Sequence, residues 1–343
     1  MRRLSILSVR AGAVLAHPVY DGRGRLVLRA GSELSDHLLE RLHALGIRTL
    51  WIEDPRSEGI EPIEPVNPLT ESRILHVLHA MFTQGPDGPE FTSLLHALRE
   101  SAGDLASQIG ALQSPRVPLA VYPPAPPELP VHSLNVAVVA LACARTGGRM
   151  WDRSRDLALG ALLHDLGRAP ALARGEPAYH PVVGWQAIKD DVLISALTKV
   201  IVLQHHERLD GSGYPAGLRG QDLHPLAQIV GLADAYVASL EGRDGTTPRP
   251  PHEILEEIMG SGGFEFDYDV VDDFYRAVAP YPPGAMVLLS NGRKGLVRGI
   301  DRLPGRPPLR LLAPDGEASS QWEDIELLSP GHQTDVIVAV LPE

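Results

Sequence analysis

The run Leu162-Leu163-His164-Asp165 constrains this chain more than any other. It closes a helix-patterned segment, 155–166, that is apolar on nearly every side, so its histidine and aspartate are expected to be buried. A buried polar pair needs hydrogen bonds or a cation, because an unpaired buried charge is expensive. Adjacent His and Asp at a helix end can offer a nitrogen and an oxygen to one metal ion, and Gly167 supplies the helix stop. The same pair can also satisfy its own helix terminus. What else converges there decides between the two.

Several other groups do converge. His132 shares a helical face with Val136, Val139 and Cys143, so it points inward. His180 stands where an N-cap is expected, with Pro181 at the first helical position. His205 and His206 close the apolar pattern that starts at Val192, where a histidine pair could equally answer the helix dipole. Asp234 falls in register with Leu226, Val230 and Val237, which puts a carboxylate on a buried stripe. Five of the chain's 14 histidines and two aspartates are thus directed to one region. Imidazole and carboxylate without thiolate suit Fe or Mn, and zinc also fits. The single cysteine, Cys143, excludes an internal disulfide framework and a Cys-based zinc site. Seven ligands exceed what one ion needs and suit two ions sharing a carboxylate, an arrangement that performs phosphoester hydrolysis. Glu128, between Pro127 and Pro130, is a candidate eighth ligand, and a solvated linker carboxylate would look the same.

Around this region the 343 residues divide into a multidomain, mainly α architecture. Residues 1–54 read as an N-terminal ββαβ accessory unit: two strands within 12–29 about the Asp21-Gly22-Arg23-Gly24 turn, a helix opened by Ser35, and a strand over 47–52. Residues 55–130 read as a linker and helical connector, with helices near 69–83 and 91–113 and a proline-rich stretch over 115–130. Residues 131–280 are an all-α domain, with helices expected over 131–146, 155–166, 181–188, 192–205 and 226–240, and weaker ones over 252–259 and 269–279. Residues 281–343 form a small C-terminal β-module around the Asn291-Gly292 hairpin turn, with strands over 286–289, 296–300, 309–312 and 336–341. Lys+Arg number 31 against 43 Asp+Glu, a net charge of −12. That balance argues against a nucleic-acid coat. The apolar run 4–9 ends at Arg10, too short for a secretory signal. No stretch reads as a membrane span, and the chain is expected to be cytoplasmic.

The motifs resemble one family. His164-Asp165 followed by His205-His206-Glu207-Arg208-Leu209-Asp210-Gly211-Ser212-Gly213-Tyr214-Pro215 is similar to the HD-GYP group of the HD superfamily of metal-dependent phosphohydrolases. His132-Ser133-Leu134-Asn135, His180-Pro181-Val182-Val183-Gly184, Ala233-Asp234-Ala235-Tyr236 and Phe266-Asp267 resemble its remaining motifs, over about 131–280. The resemblance implies hydrolysis of cyclic di-GMP to pGpG and GMP, by a metal-bridging hydroxide at a centre of two or three divalent ions, Fe or Mn. By position the metal ligands would be His132, His164, Asp165, His180, His205, His206 and Asp234, with Glu128 for a third ion. Asp165 and Arg168 would be the catalytic pair, Asp165 bridging two ions and Arg168 standing where the family's lysine contacts phosphate. Substrate binding would fall to Asp210, Gly211, Gly213, Tyr214, Pro215 and Arg243, the Tyr214 ring offering a face for guanine. Partners implied are cyclic di-GMP and, through the GYP loop, GGDEF-type or other signalling proteins; no nucleic-acid polymer and no membrane are expected, and a homodimer is one open assembly.

There are departures. Arg168 replaces the lysine, and the two are not interchangeable. Residues 169–179 form a shortened segment between His164 and His180. The Arg-Pro-Tyr-Arg motif falls on Arg243-Asp244-Gly245-Thr246, and a further family aspartate falls on Val237. These thin the substrate shell and open two alternatives: a weak or inactive HD-GYP protein that binds cyclic di-GMP or a partner, or a hydrolase of another nucleotide.

Overall fold

A computed structural model describes residues 1–343 except 22–23, 115, 120–127, 149, 171, 173–176, 244, 302, 313–321 and 342–343. The chain is mainly helical and forms two compact units. One comprises Met1–Glu64, Pro250–His252 and Ala279–Glu343; the other Pro65–Arg249 and Glu253–Val278.

The first unit joins the two ends of the chain. Strands β1 (Arg2–Ser5) and β4 (Thr49–Ile52) pair antiparallel, as do β2 (Val19–Tyr20) and β3 (Leu26–Leu28). Helix α1 (Asp36–Ala44) is capped by Ser35 and buries Leu39 and Leu42. Strand β1 extends the expected ββαβ order. Strands β5 (Met286–Leu289), β6 (Lys294–Val297), β7 (Pro308–Leu311), β8 (Glu323–Glu326) and β9 (Ile337–Val340) make one antiparallel sheet in the order β8-β7-β6-β5-β9. The Asn291-Gly292 turn joins β5 to β6 as the sequence predicts, with Gly292 at φ +83°. The accessory segments at either end, separate in the sequence reading, share this unit for identifiable reasons. Ile60 packs with Met286 and Leu296, Arg2 donates to the Gly284 carbonyl at 3.0 Å, and Arg310 reaches the carbonyls of Arg56 and Glu58.

The second unit is helical: α2 (Pro68–Gln84), α3 (Phe91–Ala111), α4 (Leu129–Gly147), α5 (Ser154–Leu163), α6 (His180–Ile188), α7 (Ala196–Gln204), α8 (Pro225–Glu241) and α10 (Tyr268–Ala277), with α9 (Pro251–Gly260) starting at the end of the 250–252 segment of the first unit. Helices α2 and α3, assigned to the connector from sequence, belong to the same core through Ile74, Leu78, Met81, Leu95, Leu98 and Leu105. Most of the proline-rich 115–130 stretch lies outside the described residues. Helix α7 starts four residues later than expected, because Ser195 caps it by accepting from the Thr198 N–H and leaves Val192 exposed.

Helix α4 is the axis of the unit. It packs against α5, α8 and α10, and 14 of its 19 residues are buried. It is long and apolar enough to cross a membrane by length and composition, contrary to the sequence reading. Its apolar surface is covered by neighbouring helices, so a core position accounts for it. His132, Ser133 and Asn135 are the buried polar exceptions.

Candidate metal centre

All seven predicted core ligands meet in the second unit, in two adjoining groups. Asp165, His180, His205 and His206 offer ligand atoms that lie within 4.8 Å of one another, and so do His132, His164 and Asp234.

Local backbone chemistry aims the rings. His164, at the C-terminal end of α5, places Nδ1 2.7 Å from the Ala161 carbonyl. His205, at the end of α7, places Nδ1 2.9 Å from the Val202 carbonyl. A carbonyl only accepts, so in both rings Nδ1 carries the proton and Nε2 presents a lone pair to the centre. One device, a histidine bonded to the carbonyl three residues back, is used twice. His180 is the first residue of α6, one position inside the N-cap predicted for it; Tyr179 takes the cap. Its Nε2 lies 3.2 Å from His205 Nε2 and 3.1 Å from Asp165 Oδ1.

The carboxylates link the two groups. Asp234 Oδ1 lies 3.0 Å from His132 Nε2 and 3.7 Å from His164 Nε2, while Oδ2 lies 3.8 Å from His206 Nε2. Asp165 Oδ1 faces His180, while Oδ2 is 3.6 Å from His164 Nε2. Each aspartate therefore has one oxygen toward each group, the disposition a bridging ligand needs.

Close helix approaches hold these positions. A Cβ at Gly231 of α8 would lie 2.2 Å from the His205 carbonyl oxygen, so only glycine lets α8 bring Asp234 to the end of α7. Gly167 likewise allows the turn after Asp165 to meet the His180 backbone.

Electrostatics favour cation binding. Burial drives the His205 imidazole well below its ordinary range and His206 down to about 3, so both are neutral donors at physiological pH. Burial opposes the ionised form of Asp165 and Asp234, yet His164 and His180 around Asp165, and His132 and His164 around Asp234, hold both carboxyls well below the usual range. His132 moves the other way: burial lowers it, but the hydrogen bonds to Asp234 and Glu241 prevail and raise it to about 9. The donor set fits divalent metal ions. The Nε2 atoms of His164 and His206 are buried without a hydrogen-bond partner among the described residues, a costly state that a cation would relieve.

The other predicted residues divide. Arg168 Nε and Arg243 Nη1 both bond Asp165, at 2.8 and 3.0 Å. The surviving arginine of the thinned motif thus reaches the centre. Tyr214 stacks on His206, with ring centroids 4.6 Å apart, so one face of the ring predicted for guanine is already covered. Asp210 is exposed and forms the turn by accepting from the Ser212 N–H and hydroxyl. A Cβ at Gly213 would meet the backbone of 206–208, which seats the loop directly on the histidine pair; Gly211, at φ +79°, and Pro215 complete the turn. Glu128 is the N-cap residue of α4 and falls outside both donor groups. Two residues escaped the sequence reading of roles. Glu207 is 1% exposed and accepts the N–H groups of Ala216 and Leu218 at 2.7 and 2.9 Å, tying down the loop. Glu241 bonds His132 Nδ1 at 2.8 Å. The signal for Glu241 was its spacing seven residues beyond Asp234, on the same helical face. Val237 between them lies in the apolar core.

Comparison with known proteins finds several partial matches. An HD domain family model matches residues 194–270. The chain is 33% identical over 180 residues to "Cyclic di-GMP phosphodiesterase PA4108" of Pseudomonas aeruginosa, covering 49% of this chain and 43% of that protein. It is 30% identical over 135 residues to a "Cyclic di-GMP phosphodiesterase" of Thermotoga maritima, covering 35% and 37%. A "3'3'-cGAMP-specific phosphodiesterase 2" of Vibrio cholerae is 36% identical over 76 residues, covering 22% and 15%. The matches thus span less than half the length of these relatives. The HD domain model thus matches residues 194–270, and the chain is similar over part of its length to proteins named cyclic di-GMP phosphodiesterases.

Proposed function

We propose that this chain is a metal-dependent phosphodiesterase that hydrolyses cyclic di-GMP. The observation that carries the proposal is the convergence of five imidazoles and two carboxylates in two adjoining donor groups beneath the 205–215 loop. His132, His164 and Asp234 would hold one divalent ion, His180, His205 and His206 a second, and Asp165 would touch both. When bound, the two ions supply the Lewis acidity that activates water and screens phosphate charge. Two ions suit the donors, and Glu128, at the start of the helix that carries His132, is the candidate ligand for a third.

The chain's own groups do the rest. Arg168 and Arg243 carry the positive charge beside Asp165 and are the side chains for the phosphate oxygens. The Glu207-anchored loop holds Tyr214 over His206 and leaves the ring's far face for a base. Burial raises the Tyr214 hydroxyl to about 12, so it stays protonated and can donate. The reading places the chain in the cytoplasm, which fractionation of expressing cells would check.

A second reading has its own support: both arginines bond Asp165, and a chain that keeps them there would bind the nucleotide without turnover. One experiment separates the readings. Protein loaded anaerobically with Mn²⁺ or Fe²⁺ is incubated with cyclic di-GMP, 3'3'-cGAMP and a linear dinucleotide. Release of pGpG or GMP from cyclic di-GMP supports the proposal, and His164→Ala should lose metal and activity together. Binding without cleavage under any metal would replace it with the binding module. Cleavage confined to another substrate would reassign the specificity.

A further inference from the structure

Glu241 is a buried carboxylate that the two donor groups leave out although it bonds one of their members, His132. It is the last residue of α8, 5% exposed, two turns beyond Asp234 on the same helix. A carboxylate is ill placed there on two counts. Burial strips its water, and the C-terminal end of a helix carries partial negative charge. Its Oε2 lies 2.8 Å from His132 Nδ1, and its Oε1 has no hydrogen-bond partner among the described residues. Since a carboxylate only accepts, Nδ1 carries a proton and donates it to Glu241. The opposite nitrogen, Nε2, lies 3.0 Å from Asp234 Oδ1, inside the group formed with His164, where a bound cation would take the place of its proton.

We propose that Glu241 is a positioning residue for the metal centre. By accepting the His132 Nδ1–H it fixes the ring's tautomer and direction and raises the basicity of Nε2, which is thereby offered to a divalent ion shared with His164 and Asp234. The proposal rests on the metal-dependent reading above. It explains a charge that the helix terminus and the core both disfavour, and it adds negative charge next to a cation site without occupying a coordination position. A purely structural ion pair in the core would leave metal affinity unchanged, and the test turns on that difference.

Metal-free full-length protein is titrated with Mn²⁺, free ion is read by electron paramagnetic resonance, and thermal melting of the same samples reports folding. Wild type should bind two ions. Glu241→Ala should weaken one of them by roughly 10–100-fold. Glu241→Gln should weaken it less, because its amide oxygen still accepts from Nδ1; this near-isosteric variant carries the test if the alanine variant fails to fold. In a His132→Ala background, Glu241→Ala and Glu241→Gln should cause no further loss. Wild-type affinity for both ions in the Glu241 variants overturns this inference and leaves the metal reading standing. An undiminished effect in the His132→Ala background also overturns it, since Glu241 would then act through the fold. A wild type that binds no ion overturns the metal reading and this inference with it.

Discussion

Replacing Gly231 by alanine tests whether the close approach of α8 to α7 builds the metal centre. The new methyl group would sit 2.2 Å from the His205 carbonyl oxygen, where real Cβ atoms keep at least 3.0 Å. That oxygen belongs to backbone and cannot swing away. Helix α8 or the end of α7 must therefore retreat by about 1.3 Å to reach a contact near 3.5 Å. Overpacking of this kind costs about 1–3 kcal/mol, and at about 2–4 °C per kcal/mol for a unit of this size, melting should fall by roughly 2–12 °C. The centre is less forgiving than the fold. Ligand distances tolerate about 0.2 Å, and Asp234 rides on α8 while His205 and His206 ride on α7. A relative shift of about 1.3 Å should lower Mn²⁺ affinity by about tenfold or more. The assay is a Mn²⁺ titration paired with thermal melting, with Gly260→Ala in α9 as the control, since a Cβ there meets nothing within 4 Å. A folded Gly231→Ala protein that binds metal at wild-type affinity would refute the reasoning.

Two further outcomes follow from other contacts. Glu207→Gln keeps one acceptor for the Ala216 and Leu218 amides but turns a donor toward the other. Losing a charged bond costs about 1.5–3 kcal/mol locally, so those amides should exchange hydrogen about 10–100-fold faster; unchanged exchange would show that the loop is held by something else. In the first unit, burial would raise the Asp54 carboxyl, but hydrogen bonds from Arg56 and Arg2 prevail and hold it at about 2, below its usual 3.8. A depressed carboxyl contributes stability that is fully present above its unfolded pKa and is lost as pH falls through its folded one. Wild type should thus exceed Asp54→Asn by roughly 1–2 kcal/mol at pH 7 once solvent screening is allowed for, with the gap closing between pH 4 and 2. Equilibrium denaturation across that range checks it, and a gap independent of pH would assign the effect to something other than charge.

The centre was legible in sequence because its residues sit on strong local patterns. His164 and Asp165 follow a helix whose residues 157–163 are all buried, and Asp234 interrupts a stripe that Leu226 and Val230 define. Pattern of that kind reports which side chains are buried together, and burial of a polar group implies a partner. What stayed hidden depended on partners distant in the chain. Glu241 looks like an ordinary acidic residue at a helix end until His132, 109 residues away, is placed beside it. Strand β1 begins with two arginines, and Arg2 is 1% exposed only because Asp54 and the Gly284 carbonyl receive its guanidinium. Strand β8 reads as a charged loop because it is an edge strand, with acids outward and Ile325 alone turned to the core. The cover on α4 was equally invisible, since composition cannot tell neighbouring helices from lipid.

The partnership of the two chain ends has a consequence for the order of assembly. Arg2 and Gly284 are 282 positions apart, and the helical unit is inserted between the halves that they join. Contacts within the helical unit join neighbours such as α2 with α3 and α4 with α5, and also α4 with the more distant α8 and α10, but all of them close shorter loops than the one between Arg2 and Gly284. The first unit must instead close a loop that spans nearly the whole described chain, at an entropic cost that its few strands recover only when both halves are present. Its formation is therefore expected to follow that of the helical unit, an order that pulse-labelling hydrogen exchange during refolding would check. A break anywhere within residues 65–249 would turn that step from an intramolecular closure into an encounter between two fragments.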